Sequence, residues 1–149
     1  MSQVTVDIEI DAPPEVVFDT MLDPGRLKDW VTIHKRVNAA DPGELHEGYR
    51  MQQTLVLRGA PFKVKWTLTR YDRPREATWE GRGPGGSYAR TAYRLFERDG
   101  GGSTRFEYVN EYKAPGGMLG AAASRALVGG ASAKEARRSL EKLKQLLER

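Results

Sequence analysis

The chain has 149 residues, of which 39% are hydrophobic and 30% charged, a composition typical of a folded globular protein and unlike that of fibrous or disordered chains. With 24 lysines and arginines against 20 aspartates and glutamates, its net charge of +4 permits an acidic partner without indicating one. It has no cysteine and only two histidines, His34 and His46, which excludes disulfides, thiolate metal sites, a cysteine nucleophile and a three-histidine zinc site. We therefore expect no metal ion and no cofactor.

Export and membrane segments are not indicated by the sequence. The most apolar stretch, residues 118–133, is interrupted by glycines, serines and Arg125, and it falls short of the ~20 apolar residues that a spanning helix needs. The first residues carry neither the basic nor the apolar region of a signal peptide. No linker or internal repeat separates two parts of the chain. We expect a cytoplasmic protein without a membrane span, built as one domain over residues 1–149.

The first elements in chain order are a strand and two helices. Residues 3–10 alternate between apolar and polar side chains, which predicts a half-buried strand. The two prolines that follow suit a helix start, where a missing N–H costs nothing. The spacing predicts one apolar helix face, formed by Val16, Val17, Thr20 and Met21. A break at residues 23–25 then precedes a second short helix over residues 26–30.

From residue 33 to residue 112 the dominant period is two, which predicts consecutive strands. Glycine, proline and aspartate clusters divide this region into six pieces joined by short turns. Consecutive hairpins imply an antiparallel meander. The predicted strands cover residues 33–40, 48–58, a stretch from about 62 to 71, 75–82, 87–98 and 104–113.

The C-terminal region is predicted to be a long helix. One apolar stripe recurs at spacings of three and four residues: Ala133, Ala136, Leu140, Leu143 and Leu147. A seven-stranded sheet can cover its inner face by curving around such a helix. The sequence therefore predicts an α+β fold of order β-α-α-β6-α. Residues 115–130, which include five glycines, are predicted to form a mobile rim over whatever the sheet encloses.

Several segments in this order resemble the polyketide cyclase/dehydrase and lipid-transport superfamily, the START-like or SRPBCC proteins with a helix-grip fold. The matching segments are Asp11-Ala-Pro-Pro-Glu-Val-Val-Phe, Leu27-Lys-Asp-Trp30, Trp66-Thr-Leu-Thr-Arg-Tyr-Asp72, Gly102-Ser-Thr-Arg-Phe-Glu107 and the helix from Ala136 to Lys144. The resemblance implies an internal cavity between sheet and helix that holds an apolar ligand. Trp30-Val-Thr-Ile-His-Lys35 and Lys65-Trp-Thr-Leu-Thr-Arg-Tyr71 further resemble an actinobacterial branch of small stand-alone members, at least one of which carries a toxin label.

The inward faces of the predicted strands carry phenols and amides as well as apolar groups. A closed core rarely takes so many, because each needs a hydrogen-bond partner when buried. A cavity with apolar walls and a few polar groups accommodates them. Thr91 and Arg70 fall on the same faces, and the resemblance places Trp30 and His34 beside the cavity mouth. The predicted ligand-binding residues are Trp30, His34, Tyr49, Gln53, Trp66, Trp79, Tyr93, Tyr108 and Asn110.

Three functions remain open at this stage. The first is binding, transport or sequestration of a small hydrophobic or aromatic ligand in the cavity. The second is a polyketide aromatase/cyclase reaction, for which Arg70, Trp66, Tyr49 and Tyr93 are counterparts by residue type only, so no catalytic residue is assigned. The third is the toxin of a toxin–antitoxin pair. A nucleic-acid partner is not expected, because the basic residues between 58 and 75 lack outward aromatic neighbours that would stack bases. The sequence indicates no oligomeric state.

Overall fold

The computed structural model describes residues 2–57, 59–113 and 131–148, and in this part of the chain the predicted order of elements is confirmed. It is an α+β fold in which a curved antiparallel sheet carries a C-terminal helix on its inner face. The strands are β1 (Ser2–Ile10), β2 (His34–Ala40), β3 (Arg50–Leu57), β4 (Ala60–Asp72), β5 (Glu76–Arg82), β6 (Tyr88–Arg98) and β7 (Ser103–Lys113). The α-helices are α1 (Pro14–Leu22), α2 (Leu27–Trp30) and α3 (Ala131–Leu147).

The seven strands form one sheet in the order β1-β7-β6-β5-β4-β3-β2, with every neighbouring pair antiparallel. The predicted meander is therefore confirmed for β2 to β7, and β1 adds to the edge beside β7. The turn between β6 and β7 depends on Gly100 and Gly101, whose φ angles of 65° and 99° disfavour residues with a side chain. This topology gives one continuous concave face.

The helix α1 closes one end of that face. It buries Val17, Phe18, Met21 and Leu22 against the sheet, whereas Val16 is 45% exposed, so the predicted helix face was wrong by one position at Val16. An N-terminal Pro14 begins the helix, as the two prolines predicted. The ring of Phe18 meets the ring of Tyr71 edge to face, with centroids 5.5 Å apart.

A bulge in β4 overturns the expected position of Arg70. The pairing of β4 with β5 shifts register between Leu68 and Arg70, so strict alternation fails there. Leu68 faces inward and is fully buried, but the next inward side chain is Tyr71. Arg70 instead lies on the exposed side and forms an ion pair with Glu76. The sequence prediction that Arg70 shares the inner face is therefore corrected.

Helix α3 packs its apolar stripe onto the sheet from one turn later than predicted. Leu140 and Leu143 are completely buried, and Ala136 and Leu147 pack against the same core. Ala133 is exposed, because the packing of α3 against α2 begins nearer Glu135 and Ala136. The predicted mobile rim at 115–130 lies outside the described residues. Within residues 2–57, 59–113 and 131–148, no helix combines the length and apolarity needed to cross a membrane.

Hydrogen bonds between side chain and backbone fix the C-terminal end of α3 to β1. Lys144 Nζ donates to the carbonyl oxygen of Glu9 at 2.9 Å, and Glu148 Oε2 accepts from the backbone N–H of Asp11 at 2.7 Å. With this end anchored, the N-terminal half of α3 extends over the remainder of the concave face.

Candidate ligand-binding site

A cavity of about 660 Å³ lies between the concave face of the sheet and the helices α2 and α3. That volume falls within the range of roughly 300–1,000 Å³ typical of small-molecule sites. Its walls are mainly apolar and aromatic, and the sheet, α2 and α3 each contribute residues to them. The apolar side chains include Leu27, Ile33, Met51, Leu55, Phe62, Val64 and Leu140.

Seven of the nine predicted ligand-binding residues line this cavity: Trp30, Gln53, Trp66, Trp79, Tyr93, Tyr108 and Asn110. Tyr49 faces inward as predicted but lies in the closed core, where its ring meets Trp79 edge to face with centroids 6.3 Å apart. His34 is half-buried beside Gln53, and the structure does not place it among the lining residues. Ligand contact by the seven lining residues stays a prediction.

A ladder of polar pairs crosses from β6 to β7 along one wall. Tyr93 lies directly opposite Tyr108, and Thr91 lies opposite Asn110 in the next inward pair. The rings of the two tyrosines are 5.9 Å apart between centroids. Thr91 Oγ1 donates to Asn110 Oδ1 at 3.1 Å, which leaves the Asn110 amide N–H groups available to the cavity.

Both tyrosines of this ladder keep their protons. Burial, together with the charge of Tyr108, raises the pKa of Tyr93 far above its ordinary value, and burial does the same to the pKa of Tyr108. The phenolate forms are therefore not accessible near neutral pH. Each hydroxyl can donate a hydrogen bond, and neither can serve as a general base.

A chain of three side chains organises the opposite wall. Trp66 Nε1 can only donate, and it donates to Gln53 Oε1 at 2.9 Å. The Gln53 amide is thereby oriented so that its Nε2 donates to His34 Nδ1 at 2.8 Å. His34 must accept at Nδ1, so its neutral ring carries the proton on Nε2. Burial also lowers the pKa of His34, which favours this neutral form.

The position of Trp66 depends on a glycine in the neighbouring strand. Gly81 is the cross-strand partner of Trp66, and a Cβ at Gly81 would lie 2.5 Å from the indole Cε3 and 2.7 Å from Val64 Cγ1. The indole thus lies across the backbone of β5, where any side chain would displace it. A glycine inside a strand often indicates such a close approach, so this signal was present in the sequence and was missed.

The helical wall holds a polar cluster that the sequence did not reveal. Thr32 Oγ1 donates to Glu135 Oε2 at 2.6 Å, and the Thr32 backbone N–H donates to Ser139 Oγ at 3.1 Å. All three residues line the cavity. No local pattern could have found this cluster, because more than a hundred residues separate Thr32 from its partners. Beside it, the buried Trp30 Nε1 has no hydrogen-bond partner within the described part of the chain.

The basic residues between 58 and 75 are partly neutralised. Arg73 forms two hydrogen bonds of 2.8 Å to Asp19, which lowers the pKa of that carboxyl, and Arg75 pairs with Asp72. His46 is exposed and bonds to the backbone of the next residue. Among residues 2–57, 59–113 and 131–148, no three histidine, aspartate or glutamate side chains cluster as metal ligands would.

Comparison with known proteins agrees with this architecture. A family model described as polyketide cyclase / dehydrase and lipid transport matches residues 1–148. The chain belongs to this family. As a member of the polyketide cyclase/dehydrase and lipid transport family, it is 30% identical over 129 residues to a Mycobacterium tuberculosis protein named Toxin Rv0910, a match that covers 85% of this chain and 90% of that one.

Solved structures of similar shape support the same family fold. A conserved protein from Geobacillus kaustophilus superposes with a TM-score of 0.76 at 17% identity, covering 99% of this chain and 95% of that one. DynU16, a protein in the dynemicin biosynthetic locus, superposes with a TM-score of 0.65 at 13% identity, covering 99% of this chain and 48% of that one. The helix-grip fold expected from the sequence is thus confirmed.

Proposed function

We propose that this protein binds a small hydrophobic or aromatic molecule in the cavity between the sheet and helices α2 and α3. The observation that carries the proposal is the cavity itself: about 660 Å³ with mainly apolar and aromatic walls and a few inward polar groups. Binding of an apolar molecule would remove these apolar walls from water, which favours association through the hydrophobic effect. The family description, which includes lipid transport, agrees with such a role.

The test is native mass spectrometry of freshly purified protein, which detects a co-purifying molecule as added mass. Ala89 supplies a variant that should block binding. It lines the cavity between Gly81 and Tyr112, so Ala89→Phe would place a ring in the ligand space. Ala92 lies on the same strand with the opposite parity, so Ala92→Phe is the matched control. We expect added mass in the wild type and in Ala92→Phe and its loss in Ala89→Phe. Equal ligand content in all three would contradict the proposal.

A cyclase or dehydrase reaction is a second candidate, favoured by the hydroxyls of Tyr93 and Tyr108 on the cavity wall. Protonated phenols can polarise a carbonyl group by hydrogen bonding. Of the four counterparts by residue type, Trp66 and Tyr93 line the cavity, while Tyr49 lies in the core and Arg70 is exposed on the other side. The similarity to a protein from a biosynthetic locus motivates a cyclisation assay with a linear poly-β-ketone as the substrate. Cyclised product that disappears in Tyr93→Phe would support the reaction.

The name of the mycobacterial relative motivates a growth assay. Expression of the wild type and of Ala89→Phe in a host bacterium separates two possibilities. Growth inhibition by the wild type alone would connect toxicity to the cavity, and inhibition by both would place it elsewhere on the molecule. Normal growth with both proteins at matched levels would exclude the toxin role in that host.

A further inference from the structure

The cavity presents hydrogen-bond donors that have no acceptor within residues 2–57, 59–113 and 131–148. The hydroxyls of Tyr93 and Tyr108 face it, Tyr93 being only 8% exposed, and neither makes a hydrogen bond in that part of the chain. The amide nitrogen of Asn110 is equally unpartnered, because its oxygen already accepts from Thr91. Trp30 adds a buried indole N–H on the helical wall. Of these donors the Trp30 N–H is fully buried, and the others reach the cavity space, so a ligand with an acceptor group would pair donors that the described residues leave without one.

The charges around the cavity restrict what that acceptor can be. The charged side chains of the described lining are Lys113 and Glu135. Glu135 is engaged by Thr32 and Arg138, and Lys113 is exposed at the end of β7. Lys113 is five residues from Tyr108 along an extended strand, or about 17 Å at ~3.3 Å per residue. Among the described lining residues, a carboxylate beside the tyrosines would therefore be buried without a cation, which is strongly unfavourable.

We propose that the ligand is an uncharged, mainly apolar molecule with a carbonyl-type acceptor that lies between Tyr93 and Tyr108. The two rings are cross-strand neighbours with centroids 5.9 Å apart, and both line the cavity, so the two phenols border the same part of it. A carbonyl oxygen has two lone pairs and can accept both hydrogen bonds. Burial keeps both phenols protonated, so they donate at any physiological pH. The inference rests on the proposed function and specifies the ligand class for the same cavity.

Three rigid tricyclic probes of nearly the same shape test this orientation: fluorene, which has no acceptor, 9-fluorenone, which has a neutral carbonyl, and fluorene-9-carboxylate, which is anionic. Their affinities for the wild type are measured by isothermal titration calorimetry. We expect fluorenone to bind about ten- to hundredfold more tightly than fluorene, the combined effect of two net hydrogen bonds, and the carboxylate to bind most weakly.

Variants that remove a single hydroxyl oxygen show which side chains cause the tighter binding of fluorenone. Tyr93→Phe and Tyr108→Phe each remove one hydroxyl and keep the ring, and each should weaken fluorenone binding about three- to tenfold while leaving fluorene unchanged. Tyr49→Phe is the matched control, since Tyr49 is buried on the same face but outside the cavity, and it should change neither affinity. The infrared carbonyl band of bound fluorenone gives an independent readout. It should move to lower frequency in the wild type and return partway in each cavity variant.

Each outcome separates this inference from the proposed function. Equal affinity for fluorene and fluorenone, or no effect of either tyrosine variant, overturns the carbonyl inference and leaves cavity binding intact. Tightest binding by the carboxylate, with loss in Lys113→Met, also overturns it and shows an amphiphile whose head lies at the end of β7. If none of the three probes binds and Ala89→Phe retains the same co-purified mass as the wild type, the proposed function fails and the inference with it.

Discussion

The concave face of the sheet has two halves that share the same strands and differ in what covers them. At one end, Leu95 and Phe106 form an inward pair on β6 and β7, and both are buried beneath α1. Four residues further along each strand, the inward pair is Thr91 and Asn110, and it faces the cavity. Tyr93 and Tyr108 lie between the two, with rings packed toward the closed half and hydroxyls available to the open half.

This comparison shows that the face a side chain occupies and the degree to which that face is covered are set separately along one strand. The alternation of period two determines which face a side chain occupies, and it is unbroken from Leu95 to Thr91. The covering helix then determines whether that position is packed or open. Where α1 fills the face, the sequence uses leucine and phenylalanine, and where it does not, the sequence changes to phenol, hydroxyl and amide groups. The closed half therefore supplies stability, and the open half lines the cavity in which we propose that a ligand binds.

The largest expected effect comes from truncation in the closed half. Phe106 is completely buried and packs against Tyr93, so Phe106→Ala should lower the free energy of unfolding by about 3–5 kcal/mol. By contrast, Tyr108→Phe removes only the hydroxyl that reaches the open half, which has no partner among the described residues, and should change the free energy of unfolding by less than about 1 kcal/mol. Urea denaturation of both variants measures the difference. Similar losses for the two would show that the halves are not distinct.

The stripe of α3 gives the second prediction. Leu143 is completely buried, so Leu143→Ala should cost roughly 2–5 kcal/mol of unfolding free energy. Ala133 belongs to the same sequence pattern but is exposed, so Ala133→Ser should cost less than about 0.5 kcal/mol. A loss below about 0.5 kcal/mol for Leu143→Ala, measured by denaturant melts, would show that this stripe does not close the sheet.

Much of the concave face could be predicted from the sequence because the strand period and the polarity pattern agree there. The inward positions of β3, β5, β6 and β7 follow alternation, and Trp79, Tyr93, Tyr108 and Asn110 all lie on the predicted face. The failures occur where backbone geometry departs from the ideal pattern. The bulge in β4 replaces Arg70 by Tyr71 on the inner face, and a bulge leaves no clear mark in a single sequence.

The cavity walls were less predictable than the fold because they depend on contacts between distant segments. Alternation shows which face a side chain occupies, but it does not show at which residue along the strand the packed core gives way to the cavity. Tyr49 was therefore grouped with the lining residues although it lies in the core. The cluster of Thr32, Glu135 and Ser139 exists only because α3 returns to α2. Hydrogen bonds over such separations follow from the tertiary fold.

The third prediction tests how closely Trp66 packs against Gly81 in the open half. Gly81→Ala would place a methyl group 2.5 Å from the ring of Trp66 and should move the indole, at a cost of about 1–3 kcal/mol in unfolding free energy. The tryptophan emission maximum should shift as the hydrogen bond from Trp66 to Gln53 is lost. Gly102→Ala is the control, because its new methyl would meet a backbone oxygen at an ordinary 3.6 Å. Unchanged emission and stability in Gly81→Ala would mean that Trp66 has room to adjust.

The smallest expected effect is a pH dependence from His34. Burial lowers the pKa of this residue below its ordinary 6.5, so the unfolded chain binds the proton first as the pH falls. The free energy of unfolding should therefore decrease from about pH 6.5 downward until the pKa of the folded state is reached, and then level off. Protonation would also turn Nδ1 into a donor facing the Gln53 amide, which is itself a donor.

Two variants isolate this contribution from that of the carboxylates. Asp19, whose pKa is lowered mainly by its hydrogen bonds to Arg73, loses its stabilising charge only at more acidic pH, so urea melts between pH 7 and pH 5 report chiefly on the histidines. His34→Asn should flatten the slope in this window. His46→Asn is the matched control, because it replaces an exposed histidine that lies outside the series of hydrogen bonds from Trp66 to His34. Parallel slopes in the wild type and His34→Asn would show that His34 gains its proton as easily in the folded protein as in the unfolded chain. In that case the hydrogen bonds from Trp66 through Gln53 to His34 would not hold the imidazole neutral.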